Sequence, residues 1–165
     1  MGICVGEALC LNCQSRRSAP YRLKMIMNLY RIAYGSSLSH CGDLRGFVKT
    51  IGRMEGYGES FLSQFELSVH EAFVNAVRHG NKENPDLFVS VVFRCGETFF
   101  GRSLTVQVTD RGKGFDLRTL DTRNDNEGYA ALGGRGVRYI RHYTERVDIE
   151  TSSEGSVITL HYIPF

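Results

Sequence analysis

Leu44, Phe47, Val48, Ile51 and Met54 recur three or four positions apart behind Asp43, a spacing that predicts a helix opening at that aspartate. A second helix is predicted from about 60 to 79. Leu62, Phe65, Val69, Ala72, Phe73 and Ala76 form its apolar stripe, and Gly80-Asn81 supplies a C-terminal stop. The glycines and polar residues of EGYGES join the two helices. Residues 28 to 38, 86 to 94 and 103 to 110 read as strands, and 145 to 152 with 156 to 163 flank Ser153-Glu154-Gly155 as a closing hairpin. A polar stretch, 116 to 133, precedes a short helix, RGVRYIRHY. The order β, α, α, β, β, loop, α, β, β lacks the alternation of a doubly wound parallel sheet. It predicts the α+β class, a two-layer α/β sandwich with helices packed on one face of a mixed, largely antiparallel sheet.

Composition changes this picture little. A chain of 165 residues is expected to hold one domain with a full core, here assigned to 28–165. Residues 1–27 lack periodicity and read as a peripheral or flexible extension, or as the product of an upstream start codon wrongly chosen. They have neither the basic start and apolar run of a signal peptide nor, with Gly6, the Ser or Thr of a myristoylation signal. The net charge of +2 with dispersed Lys and Arg argues against direct nucleic-acid binding, and no run approaches the ~18 apolar residues of a membrane span. Five cysteines, an odd number, favour reduced thiols and a cytoplasmic location. Cys10 and Cys13 make half of a zinc pattern that His40-Cys41 could complete, a weak signal.

Three stretches carry candidate chemistry. HEAFVNAVRHGN, residues 70 to 81, begins like a zinc-protease helix, but Val74 stands where the second histidine would be needed. Positions four apart share a helix face, so Ser68, Glu71, Asn75, Arg78 and His79 form a polar stripe roughly opposite Val69, Phe73 and Ala76. Such a stripe serves equally as a solvated face with an i, i+4 hydrogen bond worth ~0.2–0.5 kcal/mol, or as a site. In the second case the Asn75 carboxamide oxygen suits magnesium and the Glu71 carboxylate suits proton abstraction. DRGKGF, residues 110 to 115, leaves a strand; it is either a glycine turn or a place where Gly112 and Gly114 admit a flat ligand while Asp110 accepts from an exocyclic amine. In LGGRGVRYIRHY, Gly133, Gly134 and Gly136 adjoin a helix N-terminus, a flexible connection or a phosphate cradle.

The order of these three stretches resembles that of the GHKL superfamily of ATP-binding domains. Its N box corresponds to Glu71 through Asn75, its G1 box to Asp110 through Gly114, and its G2 box to Gly134 through Gly136. Within that superfamily the chain looks most like the bacterial anti-sigma factor serine/threonine kinases. The resemblance implies a Bergerat-type ATP-binding fold, ATP and Mg2+ as cofactors, and a cytoplasmic homodimer. It implies a sigma factor and a STAS-domain anti-anti-sigma protein as partners, with phosphate transferred to a serine of the latter. Glu71 would be the general base and Asn75 the magnesium ligand. Asp110, Gly112, Gly114 and Phe115 would surround the adenine. Gly134, Arg135 and Gly136 would hold phosphate, with Arg78 and His79 also approaching the nucleotide. Residues 116 to 133 would form a lid. The alternative is a non-catalytic ATP-binding module in a partner-switching pathway. An ATPase with further domains, or a sensor histidine kinase with a phosphoacceptor helix, is less expected from a chain this short.

Overall fold

The computed structural model describes residues 26–98, 101–112 and 135–165; Cys10, Cys13 and the 116 to 133 stretch lie outside them. Strand β1, Ile26–Gly35, is followed by helices α1, Cys41–Met54, and α2, Glu59–Asn75. Strands β2, Phe88–Thr98, and β3, Gly101–Thr109, form a hairpin. Helix α3, Arg135–Tyr143, leads to β4, Arg146–Ser152, and β5, Gly155–Tyr162. One sheet has the order β1-β2-β3-β5-β4, and all four pairings are antiparallel, so the expected mixed character is not found among the described strands. The last strand in the chain is thus inserted between β3 and β4.

Element boundaries moved where tertiary pairing outweighs local preference. Met27 and Asn28 pair with Gly96 and Cys95, which starts β1 earlier than expected and carries β2 through a glycine that reads as a break. Asp86, expected at the start of β2, sits in a turn where its N–H donates to Asn84 Oδ1 at 3.0 Å. Helix α1 begins two residues before Asp43, continuing a 3₁₀ turn at Leu38–His40 whose N-terminus is capped by Ser37.

Alternation along the strands sends one face into the core. Val89, Val91, Phe93 and Cys95 of β2 and Leu104, Val106 and Val108 of β3 are buried, as are Ile158, Leu160 and Tyr162 of β5. The helices cover this face. Phe65 of α2 is fully buried, stacked on Phe61 at 5.8 Å and edge-on to Tyr162 and Phe93 at 5.5 and 6.0 Å. Helix α3 packs on α2 and buries Ile140. The opposite sheet face is polar, with Arg94 donating to Gln107 at 2.6 Å and Asp148 meeting His161 at 2.9 Å.

Ser68 corrects the expected polar stripe. It is buried, its hydroxyl 2.7 Å from the Tyr162 hydroxyl across the layers, so it belongs to the core and not to the chemical face of α2. The aromatic cluster around Phe65 sets the distance between α2 and the sheet. Phe65→Ala is expected to lower stability by ~3–5 kcal/mol, read as a drop in the urea midpoint.

Candidate functional site

Helix α2 delivers both residues of the expected pair. Glu71 is half-buried and close enough to Cys41, at the start of α1, for its charge to affect that thiol; burial raises the Cys41 pKa most, and Glu71 adds to it against Arg45 and Arg78. Asn75 lies one turn on and is only 5% exposed, and its Nδ2 finds no partner among the described residues. That amide therefore makes no i, i+4 hydrogen bond to Glu71. A buried carboxamide with an unmatched end costs stability unless something else satisfies it, which fits a bound ligand better than a solvated face.

The helix ends in a π turn, Ala76–Gly80, in which the Asn81 N–H reaches back five residues to the Ala76 carbonyl at 2.8 Å. Gly80 does end the helical stretch, but not by taking a left-handed conformation. Lys82 and Glu83 do that, with φ of 54° and 56°. Gly80 supplies space: a Cβ there would overlap the carboxylate of Asp110. Gly112 is equally tight, since its Cβ would overlap the Gly80 carbonyl. Gly155 in the β4–β5 turn, at φ 135°, presses on the Asp110 carbonyl. Three segments thus meet backbone to backbone around one carboxylate.

Asp110 is 1% exposed at the end of β3. Its Oδ1 accepts from the Gly112 N–H at 3.0 Å, and its own N–H donates to the Ser156 carbonyl at 3.0 Å. Burial raises its pKa, and the backbone groups of Gly112 and Ser156 hold the rise in check. A cleft of about 430 Å³ opens beside it, lined by Leu87, Thr109, Asp110, Arg111, Ser153 and Glu154. Asn81, 3% exposed, accepts from the Arg111 N–H at 2.8 Å and donates to the Phe88 carbonyl at 3.2 Å.

The expected site residues therefore fall into three groups. Glu71, Asn75, Asp110 and Gly112 belong to two elements that meet at Gly80. Arg78 and His79 are exposed on the π turn, with Arg78 Nε 4.0 Å from Glu83. Gly114, Phe115 and Gly134 lie outside the described residues, while Arg135 and Gly136 form the first turn of α3. No cluster of three or more His, Cys, Asp or Glu able to hold a metal occurs among the described residues. No helix among them is long and apolar enough to cross a membrane. Gly80, Asn81 and Gly155 were not anticipated as site residues. The run Gly80-Asn81 signalled only a helix stop, and a hairpin glycine carries no mark of what its backbone touches.

A model of the histidine kinase-like ATPase domain matches residues 35–162. The chain belongs to that family. Membership makes this an ATP-binding domain. The chain is 30% identical over 104 residues to the serine-protein kinase RsbW of Staphylococcus epidermidis, covering 59% of this chain and 64% of that protein. It is 26% identical over 105 residues to the protein of the same name from Staphylococcus aureus, with the same coverage. The chain thus spans just under two thirds of these relatives. The fold is shared with the RsbU and RsbW domains of a Mycobacterium tuberculosis protein, at a TM-score of 0.57 and 16% identity, over 82% of this chain and 32% of that one.

Two measurements probe this geometry. Gly80→Ala forces a methyl against the Asp110 carboxylate, and overpacking of this kind costs ~1–3 kcal/mol. Calorimetry should show ATP affinity reduced about tenfold or more, at unchanged secondary structure by circular dichroism. The second concerns pH. The folded state binds the Asp110 proton more tightly than the unfolded chain does, so acidification stabilises the fold through this group. In urea titrations carried from neutral pH down towards the ordinary carboxylate pKa near 3.8, the stability of the wild type relative to Asp110→Asn should rise as the pH falls through the raised value.

Proposed function

We propose that this ATPase-family domain is a protein serine/threonine kinase that binds a sigma factor and phosphorylates a serine of a STAS-domain antagonist. The observation that carries the proposal is Glu71 on the same helix as Asn75, whose buried Nδ2 finds no partner among the described residues, with that helix running on to Gly80 beside the Asp110 carboxylate. From Glu71 to Gly80 nine residues of helix advance ~13 Å, leaving room for a triphosphate between the carboxylate and the base-reading end.

The residues present fit the groups this function needs. Asn75 offers a hard oxygen donor suited to magnesium, and the glycines at 80, 112 and 155 let three backbone segments close around Asp110 and hold its carboxylate at the helix end. Bound ATP supplies the phosphoryl group, and magnesium offsets the charge of the phosphates. Glu71 takes the proton from the acceptor hydroxyl, and its half-buried position keeps bulk water partly away from it. Asp110 accepts from the adenine amine and fixes the base. Arg135 and Gly136, in the first turn of α3, favour the phosphates through backbone N–H groups and the helix dipole, and Gly134 before them in the sequence belongs to the same reading. A phosphoryl transition state needs positioning and charge more than covalent help, so this short set suffices. The similarity to the staphylococcal serine-protein kinases supports the choice of a serine acceptor, and a cytoplasmic homodimer belongs to the same reading.

The deciding experiment incubates the protein with labelled ATP, magnesium and the STAS-domain proteins of its own organism. Label on a serine is expected. Phosphate release without transfer would point to an ATPase, and binding with neither to a regulatory module. Glu71→Gln should retain nucleotide binding by calorimetry and lose transfer, whereas Asn75→Ala should lose magnesium-dependent binding; wild-type affinity in Asn75→Ala would remove the metal role.

A further inference from the structure

We propose that Asn81 is a positioning residue that fixes the Asp110 loop against the end of the helix carrying Glu71 and Asn75, and thereby sets base discrimination. The inference rests on the nucleotide-binding reading above. Asn81 is almost wholly buried and joins three separate segments. Its N–H donates to the Ala76 carbonyl at 2.8 Å and closes the π turn. Its side-chain Nδ2 donates to the Phe88 carbonyl at 3.2 Å where β2 begins. Its Oδ1 accepts from the Arg111 N–H at 2.8 Å, one residue past Asp110.

Each half of the carboxamide thus serves a main-chain group that has to be satisfied when buried. An aspartate would lose the donor, a serine is too short to span both, and a glutamine adds a rotatable bond. The Asp110 carboxylate is flanked by the two segments Asn81 ties together: Gly80 lies on one side, and Gly112, whose N–H donates to Oδ1, on the other. Without Asn81 the loop after β3 keeps the Asp110 N–H to Ser156 bond and its packing on Gly80 but loses its hydrogen bond to the helix end. The Asp110 carboxylate is then free to swing with the loop, while Asn75, on the regular part of α2, stays in place. The consequence falls on the base end of a bound nucleotide.

ATP and inosine triphosphate test this, because they share the triphosphate and differ in the exocyclic amine. Losing one charge-assisted hydrogen bond corresponds to about a tenfold change in affinity. The wild type should prefer ATP by about that factor. In Asn81→Ala the ratio should fall towards one, with affinity for inosine triphosphate changed less than about twofold. Asn84→Ala, which removes the acceptor for the Asp86 N–H in the exposed part of the same connection, should leave the ratio unchanged. An equal loss for both nucleotides, or an unchanged ratio in Asn81→Ala, overturns the proposal. A second measurement needs no variant. Amide hydrogen exchange in the wild type should find Arg111 protected without ligand, and slowed further by ATP but not by inosine triphosphate. An unprotected Arg111 amide, or equal slowing by both nucleotides, overturns it independently. Wild-type protein that binds neither nucleotide overturns the nucleotide reading itself, and base positioning with it.

Discussion

The site depends on a backbone approach so close that no side chain fits between the end of α2 and the end of β3. Gly80 lies against the Asp110 carboxylate, Gly112 against the Gly80 carbonyl, and Gly155 against the Asp110 carbonyl. Everything else in the fold serves to bring these points together. The aromatic cluster around Phe65 sets the layer spacing, and the Ser68–Tyr162 hydroxyl pair fixes α2 along the neighbouring strand. The π turn carries the helix end to Asp110 with the Ala76 and Val77 carbonyls accepting from the N–H groups of Asn81 and Glu83.

That arrangement holds an opposition between stability and function. A carboxylate buried to 1% exposure is costly when charged, and two backbone groups only partly offset the cost. Asn75 adds a second cost, a buried amide with an unmatched end. Both unfavourable groups sit at the site, while the polar atoms of Ser68 and Asn81 are satisfied. Ser36 Oγ and His70 Nδ1 are likewise buried without a partner among the described residues, but only at Asp110 and Asn75 do a buried carboxylate and a buried amide face the end of one helix and the end of one strand.

Much of this could be read from the residues. Helical and alternating periods gave the elements in order, and the pairing of a carboxylate with a carboxamide four residues on marked α2. Asp110 followed from a strand ending in a glycine turn. What escaped is non-local. The ends of β1 and β2 are set by each other across the sheet, through Met27 with Gly96 and Asn28 with Cys95, and Gly96 argues locally against a strand. Ser68 looks like a surface residue until its partner, ninety-four positions away, is known. Gly80 reads as a helix stop because glycine most often marks a left-handed turn, whereas here its value is the missing Cβ. Asn81 has its two side-chain partners, Phe88 and Arg111, in other segments of the chain, and no local pattern reveals them.

The insertion of β5 between β3 and β4 has a consequence for how the protein comes into being on the ribosome. The first three strands can pair as they emerge, by local hairpin and neighbour contacts. The sheet closes only when the segment ending at Tyr162 pairs with β3 on one side and carries β4 on the other. That same segment brings the Ser156 carbonyl to the Asp110 N–H and the Gly155 turn to its carbonyl. Such long-range pairing is slow to nucleate, so the nascent chain exposes the β3 edge and an unfinished pocket until synthesis has passed residue 162. The surroundings of Asp110 are therefore complete only when the sheet is.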